Sequence, residues 1–154
     1  MRRKLPENTE YFTYYDANPK GKKTGDCVIR ALSTAMYKSW DEVLTDLYKY
    51  ALKYKQMLDC PQLYEKYLKD NGWIKLKQPR KIDNTKYTGK EFCQELQEGC
   101  CFNYDNGVSV KETDNIIAHI GGHHIVAIID GTIRDTWNSS YGCIGVMWVK
   151  PKEE

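Results

Sequence analysis

His124-Ile-Val-Ala-Ile-Ile-Asp-Gly-Thr-Ile-Arg-Asp-Thr-Trp137 is the stretch that decides the fold. Asp130-Gly131 is the favoured central pair of a two-residue type I′ turn, and apolar residues flank it on both sides. The predicted hairpin sets Ile129 opposite Thr132, which fixes every other pair along the two strands. His124 then faces Trp137, and Asp135 lies diagonally beside His124 on the same face, within reach of a long side chain. His123 projects to the other face, opposite Asn138. A slip of one residue exchanges the two histidines, so the turn decides which of them can meet Asp135.

Outward from the hairpin, Ile144–Val149 reads as a further strand before Pro151, and Asn115–Ile120 and Cys100–Tyr104 as earlier ones. Before Gly99 the apolar period is helical. Val28, Ala31, Leu32, Ala35 and Met36 predict a helix over 26–37, with Asp26 or Thr24 as its cap. Ser39-Trp-Asp-Glu42 and Thr88-Gly-Lys-Glu91 are capping boxes that open two more helices. Pro61 suits a helical first turn, and Asn71-Gly72 ends the helix it begins. Trp73–Leu76 reads as a short strand. The first 25 residues show no period. The pattern predicts one α+β domain over residues 1–154: an irregular segment (1–25), a mainly helical part (26–98) and an antiparallel sheet (100–150).

The 154-residue chain is 41% hydrophobic and 29% charged, a globular composition that excludes a disordered, collagenous or coiled-coil protein. Its longest apolar run, Ile125–Ile129, falls far short of the roughly 20 residues that span a bilayer. The basic start, Met1–Asn8, is followed by no apolar stretch, so no membrane contact and no export signal are expected. The expected location is the cytoplasm of a bacterial host cell, with reduced and mostly buried thiols. Six cysteines occur without a Cys-x-x-Cys, and none has zinc-finger spacing to His119, His123 or His124. No metal and no cofactor are expected.

Charge is unevenly spread, with eleven basic side chains against four acidic in residues 48–90, and four against ten in residues 91–154. The basic segment interleaves Tyr48, Tyr50, Tyr54, Tyr64 and Tyr67 with lysines, a pattern suited to nucleic acid. Several of those tyrosines also fall on apolar helical faces, where packing explains them.

Cys27 stands where the first helix begins, after Thr-Gly-Asp. Unpaired amides and the helix dipole favour an anion there, so a thiol at that place ionises readily. A nucleophile also needs a base and the base an orienting partner, which the hairpin supplies in His124 and Asp135.

Three short segments carry a resemblance. Gly25-Asp-Cys-Val-Ile-Arg-Ala-Leu-Ser-Thr-Ala-Met36 resembles the nucleophile helix of papain-like cysteine peptidases, nearest to the branch that processes bacteriocins at double-glycine sites. His124-Ile-Val-Ala-Ile-Ile129 resembles their histidine strand, and Asp135-Thr136-Trp137 their Asn/Asp-Ser-Trp element. Small Firmicutes and phage proteins share the Gly-Asp-Cys and Asp-Thr-Trp phrases. The resemblance implies a papain-like fold, with Cys27 as nucleophile, His124 as general base and Asp135 as orienting residue. Trp137 would cover the pair. The family's oxyanion-hole glutamine is absent, since Gly21 stands in its place; Asn18, the nearest side-chain amide, is expected to serve the oxyanion, with Trp137 beside it at the substrate site. The expected function is hydrolysis of a peptide or amide bond in a peptide or protein substrate. Acyl transfer of the transglutaminase or deamidase type uses the same three residues. A non-catalytic protein-binding or nucleic-acid-binding role, the latter through residues 48–90, is the third reading. Nothing in the sequence fixes the oligomeric state.

Overall fold

A computed structural model describes residues 4–152. Asp130 and Gly131 both take positive φ, 52° and 69°, as a type I′ turn requires. The turn sets Ile129 against Thr132, Ile128 against Ile133 and Ala127 against Arg134, the register that the Asp-Gly pair dictates. The strands it joins are β6 (His124–Ile129) and β7 (Thr132–Asp135). With β1 (Phe12–Tyr14), β2 (Ile74–Leu76), β5 (Ile116–Ile120) and β8 (Ile144–Val149), they form a six-stranded sheet in the order β1-β7-β6-β5-β8-β2.

Two expectations about this sheet are corrected. It is mixed, because β1 runs parallel to β7 at one edge while the other pairs are antiparallel. A three-residue strand anchored by the fully buried Phe12 is too short to show alternation, so it lay hidden in the segment read as irregular. The strand expected over 100–104 shrinks to β3 (Phe102–Asn103), which pairs with β4 (Ser109–Val110) in a separate ribbon.

The helices are α1 (Cys27–Met36), α2 (Trp40–Tyr54), α3 (Pro61–Asp70) and α4 (Gly89–Gln97). At α4 the Thr88–Glu91 capping box forms in both directions. At α2 only half of one forms. Ser39 accepts from the Glu42 amide at 3.0 Å, but the Glu42 carboxylate takes the serine hydroxyl rather than its backbone amide. None of the helices is long and apolar enough to cross a membrane, among the described residues.

Alternation along the strands gives the sheet two buried faces. Ile117, Ile125, Ala127, Ile129 and Trp148 pack against Leu32 and Ala35 of α1, Leu47 of α2 and Leu68 of α3. Val126, Ile128, Ile133, Met147 and Val149 pack on the other side against Phe92, Cys93 and Leu96 of α4. Each fully buried aliphatic side chain contributes about 1.5–3 kcal/mol relative to exposure. α1 is thereby clamped across β6, with its N-terminus held near the start of that strand.

The hairpin register leads to a first expected result. A Cβ at Gly131 would stand 2.9 Å from Gln97 Cγ and also meet the left-handed backbone. Gly131→Ala should cost about 1–3 kcal/mol, seen as a lower denaturant midpoint with an unchanged slope. A neutral effect would contradict the turn as described.

Candidate active site

α1 positions Cys27 at its first residue, and β6 offers His124 at its own first residue. Asp26 occupies the N-cap position of α1 but does not cap it. Its φ and ψ, −98° and 26°, turn the carboxylate away from the first-turn amides. One oxygen accepts from Arg30 Nε at 2.9 Å. The other accepts from Trp40 Nε1 at 2.9 Å and from Asn18 Nδ2 at 3.1 Å. No acidic residue stands in that first turn. The amides around Cys27 therefore keep their preference for an anion.

The hairpin brings Asp135 to His124. The ring's Nε2 donates to Asp135 Oδ2 at 2.6 Å, which leaves Nδ1 as the nitrogen free for a second partner. The Cys27 thiol lies beside this ring, and His124 is the largest influence lowering its pKa. Asp135 is 2% exposed and fully engaged. Besides His124 it accepts from the Ser139 hydroxyl at 3.0 Å, the Thr136 amide at 2.7 Å and Arg30 Nη1 at 3.0 Å. The Trp137 ring packs against the imidazole with centroids 4.8 Å apart and planes 35° apart. Half of the indole remains exposed, so it covers one side of the histidine only.

These contacts set the charges. Hydrogen bonding to His124 lowers the Cys27 pKa; burial opposes this, and the charges of His124 and Arg30 add to the lowering. Burial alone would depress His124, but the hydrogen bonds to Asp135 and Cys27 outweigh it and push the imidazole up to about 9. Burial likewise opposes ionisation of Asp135, and its bonds from His124, Thr136 and Arg30 hold it below the usual carboxylate range. Both shifts favour the charged forms, so the contacts favour thiolate and imidazolium over the neutral pair. Cys93 shows the contrast, because burial with no cation beside it pushes that thiol up to about 12.

Sequence reasoning assigned Asn18 the oxyanion role, and the structure gives it a different one. It is buried, and its amide donates to Asp26 and to the Lys22 carbonyl at 3.4 Å while its oxygen accepts from the Lys20 amide at 3.0 Å. Asn18 ties the 18–25 loop to Asp26. Gly21 is exposed, with φ of 60°. His123 is exposed and apart from this cluster. His119 accepts or donates a 2.7 Å bond with the Tyr64 hydroxyl beside Trp148, and burial lowers its pKa, as for a packed neutral histidine. No group of three metal-ligating side chains is present among the described residues.

Arg30 is the residue that sequence reasoning missed. It bridges Asp26 and Asp135 and so fastens the start of α1 to the carboxylate behind the histidine. Its i,i+4 spacing from Asp26 was the available signal. The cysteines depart from expectation in their burial, not in being unpaired. All six are free, Cys93 alone is buried, and Cys100, Cys101 and Cys143 are exposed. The tyrosines of residues 48–90 are largely committed to the protein. Tyr64 and Tyr67 lie in the core, and the Tyr50 hydroxyl bonds Asp70 at 2.5 Å. Compared with protein-family models, with curated proteins and with solved structures, the chain matches none.

Proposed function

We propose that the chain is a cysteine-dependent acyl-transfer enzyme of papain-like architecture, cleaving a peptide or amide bond. The observation that carries this reading is the convergence of Cys27, His124 and Asp135. A thiol at an uncapped helix N-terminus lies beside an imidazole that lowers its pKa and that a buried carboxylate holds at 2.6 Å. The Cys27 thiolate attacks the substrate carbonyl, and electrons move onto its oxygen. As the tetrahedral species collapses, the His124 imidazolium gives its proton to the leaving amine, and a thioester to Cys27 remains. Neutral His124 then takes a proton from water as its oxygen attacks the thioester; collapse expels the Cys27 thiolate, releases the carboxylic acid product and leaves His124 as imidazolium. An amine in place of that water gives transfer, and a glutamine side-chain amide as the bond attacked gives deamidation.

The Cys27 amide, beside the uncapped turn of α1, is the donor for the developing oxyanion. A second, side-chain donor of the kind the family's glutamine supplies is worth about 2.7–4 kcal/mol in the transition state. With Asn18 engaged elsewhere, slow turnover on generic peptides is expected.

Limiting iodoacetamide at neutral pH tests the reading. Peptide mapping should find Cys27 carbamidomethylated before the more exposed Cys100, Cys101 and Cys143, despite its partial burial. Labelling in order of exposure would overturn it.

The charges also fix a pH dependence. Turnover should rise as the thiol ionises, below its ordinary range, and fall as His124 loses its proton near pH 9. The imidazole's folded pKa lies above its ordinary 6.5. The stability it contributes is therefore present below that value and lost as pH climbs through about 9. A profile whose alkaline limb sits near 6.5 would contradict the ion pair.

A further inference from the structure

We infer that the lysine-lined cleft beside Trp137 binds a carboxylate-bearing stretch of the peptide substrate. This inference rests on Cys27 being the nucleophile, because the cleft shares its wall with that site. It encloses about 520 Å³, within the size range of ligand pockets. One wall is Gly25, Asp26, Arg30, Thr136 and Trp137, the residues that frame Cys27, His124 and Asp135. Lys4, Lys22 and Lys23 line the cleft as well.

Two carboxylates also line the cleft, and the four cations Lys4, Lys22, Lys23 and Arg30 outnumber them. Asp26 has both oxygens occupied by Arg30, Trp40 and Asn18. Asp16 is the remaining one, and its Oδ1 accepts from the Asn18 amide at 2.9 Å. Lys22 and Lys23 make no ion pair among the described residues, and Lys4 only a wholly exposed one at 3.8 Å to Glu7. The loop that carries the lysines is also held in place. Asn18 bonds the Lys20 amide, the Lys22 carbonyl and Asp26, and the Gly21 amide returns to the Asn18 carbonyl at 3.0 Å. Two neighbouring lysines on a held loop, in a cleft lined also by Gly25 and Asp26 next to Cys27, select an anionic neighbour for the bond being broken. A cavity of about 350 Å³ on the other side of the same Thr24-Gly25 loop is instead walled mainly by Val28, Ile29, Trp40, Leu44, Met57 and Leu58. The charge preference is thus confined to one side of Cys27. A single-stranded nucleic acid would need a row of open aromatic faces along the groove, and here only Tyr14 and the half-exposed Trp137 line it.

Full-length Cys27→Ala protein, which binds without reacting, is the bait for a displayed library of short random peptides. Recovered sequences should be enriched in Asp and Glu. Replacing the acidic residue of the tightest peptide by its amide should weaken binding about three- to ten-fold, the scale of two exposed charge pairs. Lys22→Gln/Lys23→Gln should remove that discrimination and Lys22→Arg/Lys23→Arg should keep it. Amidating the peptide's C-terminus separates the two sources of carboxylate: unchanged binding assigns it to a side chain, and loss assigns it to the chain end. Four results would overturn the inference: recovery of no peptide, no acidic enrichment, a preference that survives the glutamine variant, or tighter binding of oligo-dT at the same lysines. Because the bait lacks the thiol, failure here leaves the iodoacetamide result standing, and an unreactive Cys27 leaves the binding preference standing.

Discussion

His124→Ala is expected to slow acyl transfer by about 10²–10⁴-fold, the range set by loss of a positioned acid and base. It should also slow alkylation of Cys27 at neutral pH by at least about ten-fold, because the thiol returns toward its ordinary range without the imidazolium. Of the influences on Cys27, the hydrogen bond to His124 is the largest, and the charge of the same ring adds to it. Arg30 and the amides of the first turn of α1 remain in the variant, so some lowering survives. Site-resolved alkylation rates for variant and parent provide the measurement. Equal rates at Cys27 would show that the ring does not govern the sulfur.

Arg30→Met is expected to destabilise the fold by about 3–5 kcal/mol, as removal of one partner from a buried ionic network does. Asp26 and Asp135 are 6% and 2% exposed, and Arg30 is the cation that both of them bond. For a chain of this size that corresponds to a drop in melting temperature of roughly 10 °C. The double variant Arg30→Met/Asp26→Asn should recover part of the loss, because it removes the charge at Asp26 that Arg30 had paired, while Asp135 keeps His124. A melting temperature within a degree or two of the parent would show the network to be dispensable. Arg30 also helps to lower the Cys27 pKa, so alkylation of the variant should require a higher pH.

The parts of the fold and site legible in the sequence were those set by local chemistry. Asp130-Gly131 fixed a register, and through it which histidine meets Asp135. The result is the 2.6 Å contact of His124 rather than His123. The periodic run from Val28 to Met36 marked α1 and placed Cys27 at its head. What stayed hidden depends on contacts far apart in the chain. The pairing of β1 with β7 joins residues 12–14 to 133–135, and three residues carry too little pattern to announce it. Asp26 looks like a helix cap by type and position, and its diversion to Trp40 and Arg30 emerges only once α1 and α2 are packed. Asn18 was singled out as a nearby amide, yet the turn of its loop aims that amide at Asp26. The exposed Cys100, Cys101 and Cys143 show that a thiol's burial cannot be inferred from residue type alone.

One titration bears most directly on the claim that a sulfur anion and an imidazolium coexist at this site. The ring-nitrogen resonances of His124, followed by NMR from acid to alkaline pH, report its protonation state without needing a substrate. The ring should hold both protons at neutral pH and release one near pH 9, with the midpoint falling in Cys27→Ala as the hydrogen-bonded sulfur is lost. A ring that deprotonates near its ordinary 6.5, and is indifferent to removal of the thiol, would contradict the ion pair and with it the proposed chemistry.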